Sequence, residues 1–259
     1  MNTEIYDPFT YIQILFWTFL FATGNVFVKW RLRLKQSSTR SFFVVHALAN
    51  LIVVYLVFDD TVYTWMNPLK SCVCLKENCR SPALLVATGL HIAHIVTDFK
   101  QLGLIDWLHH LLSVFMSSYF LLYYTIGTLK NFALFFINGL PGGIDYALLY
   151  LVKSGKIDKI LEKRINNFLN MYIRVPFLVA VGTIIWVNWI SGHWTKDPTT
   201  NGNEMPLSVL CCFIVFISCN SLFFAERVAV SYGRHLANPN KGNIRVNKSE
   251  LDFVESKSN

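Results

Sequence analysis

The residues best suited to chemistry in this chain are histidines and aspartates set within apolar stretches. His91, His94 and Asp98 are separated by three and four residues, so on a helix they share one face. Asp106 lies three residues before His109 and four before His110, which stacks a carboxylate under a histidine pair. Asp145 and Tyr146 form a third polar point further along. A neutral imidazole acts as a base or a nucleophile, and a carboxylate orients it. Acyl transfer from a thioester suits such a group in an apolar cavity. A P-loop, a serine-hydrolase elbow and a dinucleotide-binding glycine turn are absent. His46 stands alone in its apolar run and reads as a hydrogen-bonded packing residue. Asp98 and Asp106 border their runs, so a solvated helix-end role competes with a functional one.

The elements that must position these residues follow from composition. Of 259 residues, 53% are hydrophobic and only 15% charged, against roughly 25% charged in a soluble domain. Too little charge is available to cover a soluble surface. Disorder and a disulfide scaffold are excluded by the same numbers. Apolar runs near the roughly 20-residue length of a membrane helix fall at Phe9–Val28, Phe42–Phe58, Pro82–Thr97, Trp107–Ile126, Asn131–Leu151, Tyr172–Ile190 and Pro206–Phe224. The expected fold is an all-α membrane protein with about seven transmembrane helices. Pro141-Gly142-Gly143 is expected to break or kink the fifth.

The 23 basic residues fall 18 to one side of these spans and 5 to the other. The positive-inside rule then puts the N-terminus in the lumen and the C-terminus in the cytosol. That asymmetry accounts for the net charge of +7 without nucleic acid as a partner. In this topology the third and fifth spans end, and the fourth begins, on the cytosolic side. The short link between spans three and four makes them antiparallel neighbours. His94, His109 and Asp145 then lie within roughly 10 Å of the cytosolic boundary. Ionisable groups inside a membrane face a protein interior or a cavity and mark function by default.

Smaller features fit this frame. Cys72, Cys74 and Cys79 share a lumenal loop where a disulfide can form, with one thiol left over. Cys211, Cys212 and Cys219 read as packing residues of the last span. Lys156–Tyr172 reads as a basic amphipathic helix, either lying on the cytosolic leaflet or serving as a solvated connector. The tail from Arg227 reads as polar and poorly ordered. The sequon Asn247-Lys248-Ser249 falls in that cytosolic tail and is expected to be silent.

Three short stretches carry a resemblance. DWLHH (Asp106–His110), TIGTL (Thr125–Leu129) and the acidic pair Asp145-Tyr146 resemble the TLC domain, the family that includes the ceramide synthases. Matching residues are His109 and His110 for the paired histidines, and Asp145 and Tyr146 for the end of the second motif. The histidine and first aspartate of that motif have no counterpart; the stretch from Asn138 to Gly143 runs in their place. The resemblance implies six spans around a central cavity over about residues 38–230. Residues 1–37 would add a lumenal N-terminus, an extra span and its basic flank, and residues 231–259 a polar cytosolic tail. A weaker resemblance, to fatty-acid elongases, rests on Asp106–His110, where Asp106 replaces the first histidine of their H-x2-HH box.

These readings imply a lipid-metabolism protein of the endoplasmic reticulum or a related endomembrane. As an enzyme it would be an acyl-CoA-dependent acyltransferase. His109, His110, His94, Asp106 and Asp145 would be its catalytic residues, with His91, Asp98, Tyr146 and Asn138 binding. Membrane lipids are the expected partners and acyl-CoA the co-substrate, with no bound cofactor. No metal is expected, because the histidine blocks of membrane di-iron enzymes are missing. A non-catalytic lipid-sensing or cargo-trafficking protein is the alternative. A transporter with Pro141–Gly143 lining its substrate site is a third reading.

Overall fold

The computed structural model describes residues 8–35, 38–72, 81–115, 127–192 and 207–237, and among them it is entirely helical, with no strand. The helices are α1 (Pro8–Arg31), α2 (Arg40–Met66), α3 (Pro82–Asp98), α4 (Leu104–Phe115), α5 (Leu129–Leu134), α6 (Leu140–Lys153), α7 (Lys159–Phe168), α8 (Val175–Ile190) and α9 (Leu207–Ala237). A π-helical turn, Phe135–Gly139, joins α5 to α6, and a second, Leu169–Arg174, joins α7 to α8. Each pair therefore forms one long rod. Five rods are long and apolar enough to cross a membrane: α1, α2, α5–α6, α7–α8 and α9. The shorter apolar helices are α3 and α4. Such a set fits a multi-pass integral membrane protein. Residues 116–126, the rest of the expected fourth span, lie outside the described residues.

Local chemistry explains the ends. Asn67 precedes Pro68, which disfavours helical backbone before it, and α2 stops at Met66. Ser81 caps α3 by accepting from the Leu84 N–H at 3.2 Å, with Pro82 in the first turn, where its missing N–H leaves no helical bond unmade. After α6 the chain makes a Schellman turn. The N–H of Lys156 donates to the carbonyl of Leu151, that of Gly155 donates to Val152, and Gly155 has φ +67°. Asp158 then caps α7.

Both π turns stand just ahead of a proline, Pro141 and Pro176. A proline inside a helix has no N–H to give and crowds the carbonyl four residues back. Widening the preceding turn accommodates that ring without ending the rod. Pro141-Gly142-Gly143 therefore does not break the fifth span as expected. All three residues are buried, and the two glycines let α6 press against Asn50 of α2.

The interior is divided along its length. One half is an apolar core: Ala49, Val53 and Val57 of α2, Leu84 and Val86 of α3, Phe132 of α5, Leu178 and Ile185 of α8, and Phe213 of α9. The other half, formed by the start of α2, the end of α3 and the start of α4, is polar. At the opposite end from that polar half, Lys130 is fully buried rather than flanking a span. Beside it, Asn131 donates to Asp60 and accepts from Ser81, tying α5 to α2 and α3. Large apolar side chains cover the outside, among them Leu15, Phe19 and Trp30 of α1 and Tyr55 of α2, as lipid contact demands.

Three sequence expectations change. Lys156–Tyr172 is neither a surface-lying helix nor a solvated connector. It enters the α7–α8 rod with Glu162, Asn166 and Asn170 buried against the bundle. The chain past Arg227 continues as α9 to Ala237, beyond the expected boundary at 230, and His235 lies within that helix. Cys211, Cys212 and Cys219 lie on the exposed face of α9, so they do not pack in the interior. Cys72 carries a free, buried thiol; Cys74, Cys79 and the sequon lie outside the described residues.

Burial pushes the Cys72 thiol up to about 12. At pH 8 its thiolate is then about one part in ten thousand. Cys72 is expected to resist alkylation by a soluble maleimide at pH 8 in the folded protein and to react once denatured. Peptide mass mapping of the two samples checks this.

Candidate functional site

The polar half of the interior holds an open cavity of about 340 Å³, within the range of small-molecule sites. All nine residues singled out from sequence line it: His91, His94 and Asp98 from α3, Asp106, His109 and His110 from α4, Asn138 from the first π turn, and Asp145 and Tyr146 from α6. Apolar walls come from Phe42, Phe43, Leu90, Ile105, Ile137 and Phe224. The short link between α3 and α4 sets the two histidine faces against each other.

The histidines touch. The Nδ1 atoms of His91 and His110 are 2.9 Å apart, so one ring carries a proton on Nδ1 and the other accepts it. The rings of His94 and His110 are centred 4.4 Å apart, those of His91 and His109 5.5 Å, and those of His109 and His110 5.2 Å. His46 joins this group, contrary to its reading as a packing residue alone. Its Nδ1 donates to the Phe42 carbonyl at 3.0 Å, which leaves Nε2 as a lone pair. That atom is buried without a partner, as is Nδ1 of His94. The Phe42 ring lies tilted against both, its centre 3.7 Å from that of His46 and 3.9 Å from that of His94. Tyr146 closes on His46 at 4.7 Å.

The carboxylates are placed differently from one another. Asp98 faces His94 with Oδ2 4.0 Å from Nε2. Its other contacts run to α1 and its own helix: Lys29 Nζ at 3.4 Å, Asn25 at 3.3 Å and the Thr97 hydroxyl at 2.8 Å. Asp106 is exposed at the start of α4 and accepts from the Gly103 N–H at 3.1 Å. Asp145 accepts from Asn166 at 2.6 Å. The hydrogen bonds of Asp106 and Asp145 thus run to Gly103 and Asn166 rather than to a histidine.

A polar ladder behind Asp145 was not anticipated. Glu162, Asn166, Asn170 and Arg174 recur every four residues along the α7–α8 rod. Arg174 Nη1 donates to Asn170 Oδ1 at 2.6 Å, and Asn170 donates to Asn166 Oδ1 at 2.7 Å. Lys163 pairs with Glu162 at 3.3 Å. Arg174 reaches the cavity with Nε buried and unpartnered. The four-residue repeat was the available signal. It drifts by about 40° per step around an ideal helix, and the π turn takes up part of that drift, holding Arg174 in line. Asn50, Asn220 and Ser221, also cavity residues, carry no comparable pattern.

The site therefore offers several imidazoles, a guanidinium and an apolar wall around one open cavity. Proton transfer, nucleophilic attack and metal ligation are all within the reach of such groups. No protein-family model matches the chain, and neither the curated proteins nor the solved structures include a match to it.

Proposed function

We propose that this protein is a multi-pass endomembrane enzyme, similar to TLC-domain proteins, that transfers an acyl group from acyl-CoA to a lipid acceptor. The observation that carries the proposal is the meeting of His91, His94, His109 and His110 at one apolar-walled cavity. An acceptor amine or hydroxyl needs a base as it attacks the thioester carbonyl, and the departing thiolate takes up a proton. A histidine performs both transfers in turn. His109 or His110 fills this role, with His94 as a second imidazole and Asp106 one helical turn away. The half-buried Arg174 lines the cavity as a donor to the carbonyl oxygen or to an anionic headgroup. The site opens to the cytosol, where acyl-CoA is found, with the N-terminus in the lumen.

In lipid nanodiscs supplied with a long-chain amine and acyl-CoA, His110→Ala is expected to lower amide formation by at least about a hundredfold. Its elution and helical content should match the parent. Unchanged turnover would remove His110 from the chemistry. The non-catalytic reading, lipid sensing or cargo trafficking, is favoured by the commitment of Asp98 to Lys29 and of Asp145 to Asn166. It predicts no product from the parent protein under any acyl donor.

A further inference from the structure

His91, His109 and His110 each present one ring nitrogen such that the three atoms lie within 4.8 Å of one another. We infer that these three histidines bind one divalent transition-metal ion, of the zinc class. A tetrahedral zinc ion sits about 2.0–2.1 Å from each nitrogen, which requires nitrogen separations of roughly 3.4 Å. The His91–His110 separation, 2.9 Å, is already shorter than this. The widest pair needs to close by only about 1.4 Å, within reach of small ring rotations.

Charge points the same way. The three rings, centred 5.1 to 5.5 Å apart, cannot all be protonated in a low-dielectric interior. Neutral imidazole is the form that ligates metal. A bound dication replaces the His91–His110 hydrogen bond with two metal–nitrogen bonds. Three imidazoles with no carboxylate or thiolate among them match a catalytic zinc set with an open fourth position, and differ from the two-histidine, one-carboxylate set of mononuclear iron. All three residues line the cavity, which would give a fourth ligand room to bind.

The absence of di-iron histidine blocks, which led to the expectation of no metal, bears only on di-iron centres. A mononuclear site needs no such blocks, because His109 and His110 come from α4 and the third ligand, His91, from α3. With a metal on this trio, the imidazoles left to move protons are His94 and His46, whose Nδ1 and Nε2 respectively are buried and unpartnered. Metal binding does not depend on acyl transfer. Metal content and lipid product are read separately, and either can fail while the other stands.

The test uses the full chain purified through a tag free of histidine, loaded with zinc and dialysed. Elemental analysis is expected to give about one zinc per chain. His91→Gln, His109→Gln and His110→Gln should each fall at least fivefold, while His235→Gln, at the end of α9, should keep its metal. Cobalt loading of the parent should produce the visible bands of a tetrahedral ion. Zinc-edge X-ray absorption of the parent should count three imidazole ligands, a readout that does not require any variant to fold. Less than a tenth of a zinc per folded chain, two or fewer imidazole ligands, metal retained by the three glutamine variants, or metal lost from His235→Gln would each overturn the inference.

Discussion

Asp98→Ala is expected to destabilise the folded protein by about 3–5 kcal/mol. Lys29 and Asp98 have side chains only 7% and 9% exposed. Removing the carboxylate leaves the Lys29 ammonium buried, with no opposite charge and no aqueous shell. It also frees the Asn25 amide and the Thr97 hydroxyl, which both donate to Oδ2. Removing both charges is a different matter. Lys29→Met with Asp98→Leu replaces the pair by apolar groups and is expected to stay within about 1–2 kcal/mol of the parent, since a buried pair repays little more than its own desolvation. Unfolding by SDS in mixed micelles, followed by circular dichroism, measures all three proteins. An Asp98→Ala loss below about 1 kcal/mol would show that Lys29 escapes to water and that the α1–α3 clamp is not a buried one. His94 makes the clamp relevant to function, because its Nε2 faces the same carboxylate.

Gly89 gives the second large effect, and there the sign is the informative quantity. On helix propensity alone, Gly89→Ala should stabilise α3 by up to about 1 kcal/mol. The structure reverses this. A methyl at Gly89 would sit 2.6 Å from Trp17 Cβ, 3.0 Å from the Thr18 nitrogen and 3.1 Å from the Trp17 carbonyl carbon. Two of those atoms are backbone of α1, so relief requires the helices to separate. Overpacking of this kind typically costs about 1–3 kcal/mol. Gly89→Ala is therefore expected to be net destabilising, and Gly89→Leu to lose about 3 kcal/mol or more. The same SDS titration reports the values. A stabilised Gly89→Ala would mean that α1 does not lie against α3 at this point.

The pattern of residues made part of this arrangement legible. The three-and-four spacing of His91, His94 and Asp98, and of Asp106, His109 and His110, survives as two helix faces meeting at one cavity. That worked because a short link fixes α3 and α4 as neighbours, so local periodicity already implied a tertiary contact. His46 and Asn50 were not legible as site residues, because α2 reaches them from a distant part of the chain and each stands alone in an apolar run. The Glu162–Arg174 ladder was misread for a physical reason. An amphipathic helix is ordinarily assigned with its apolar face inward, yet beside lipid the apolar face can turn outward and the polar face inward. Within α7, Glu162 and Asn166 are buried while Leu161 and Phe168 are exposed, which is that inversion; Leu169, just past α7, is buried again. The prolines misled in a milder way: Pro141 and Pro176 announce a disturbance, but sequence does not say whether a rod ends or widens by one π turn.

Acyl transfer by the histidine cluster is tested most directly by lipid composition. Cells lacking the protein would be restored with the parent chain or with the His109→Ala/His110→Ala variant at matched abundance, and their acylated lipids measured by mass spectrometry. One class of acylated lipid is expected to fall on loss, return with the parent, and stay low with the double variant. Acylated lipids restored equally by both proteins, or unchanged by loss, would contradict acyl transfer at this site.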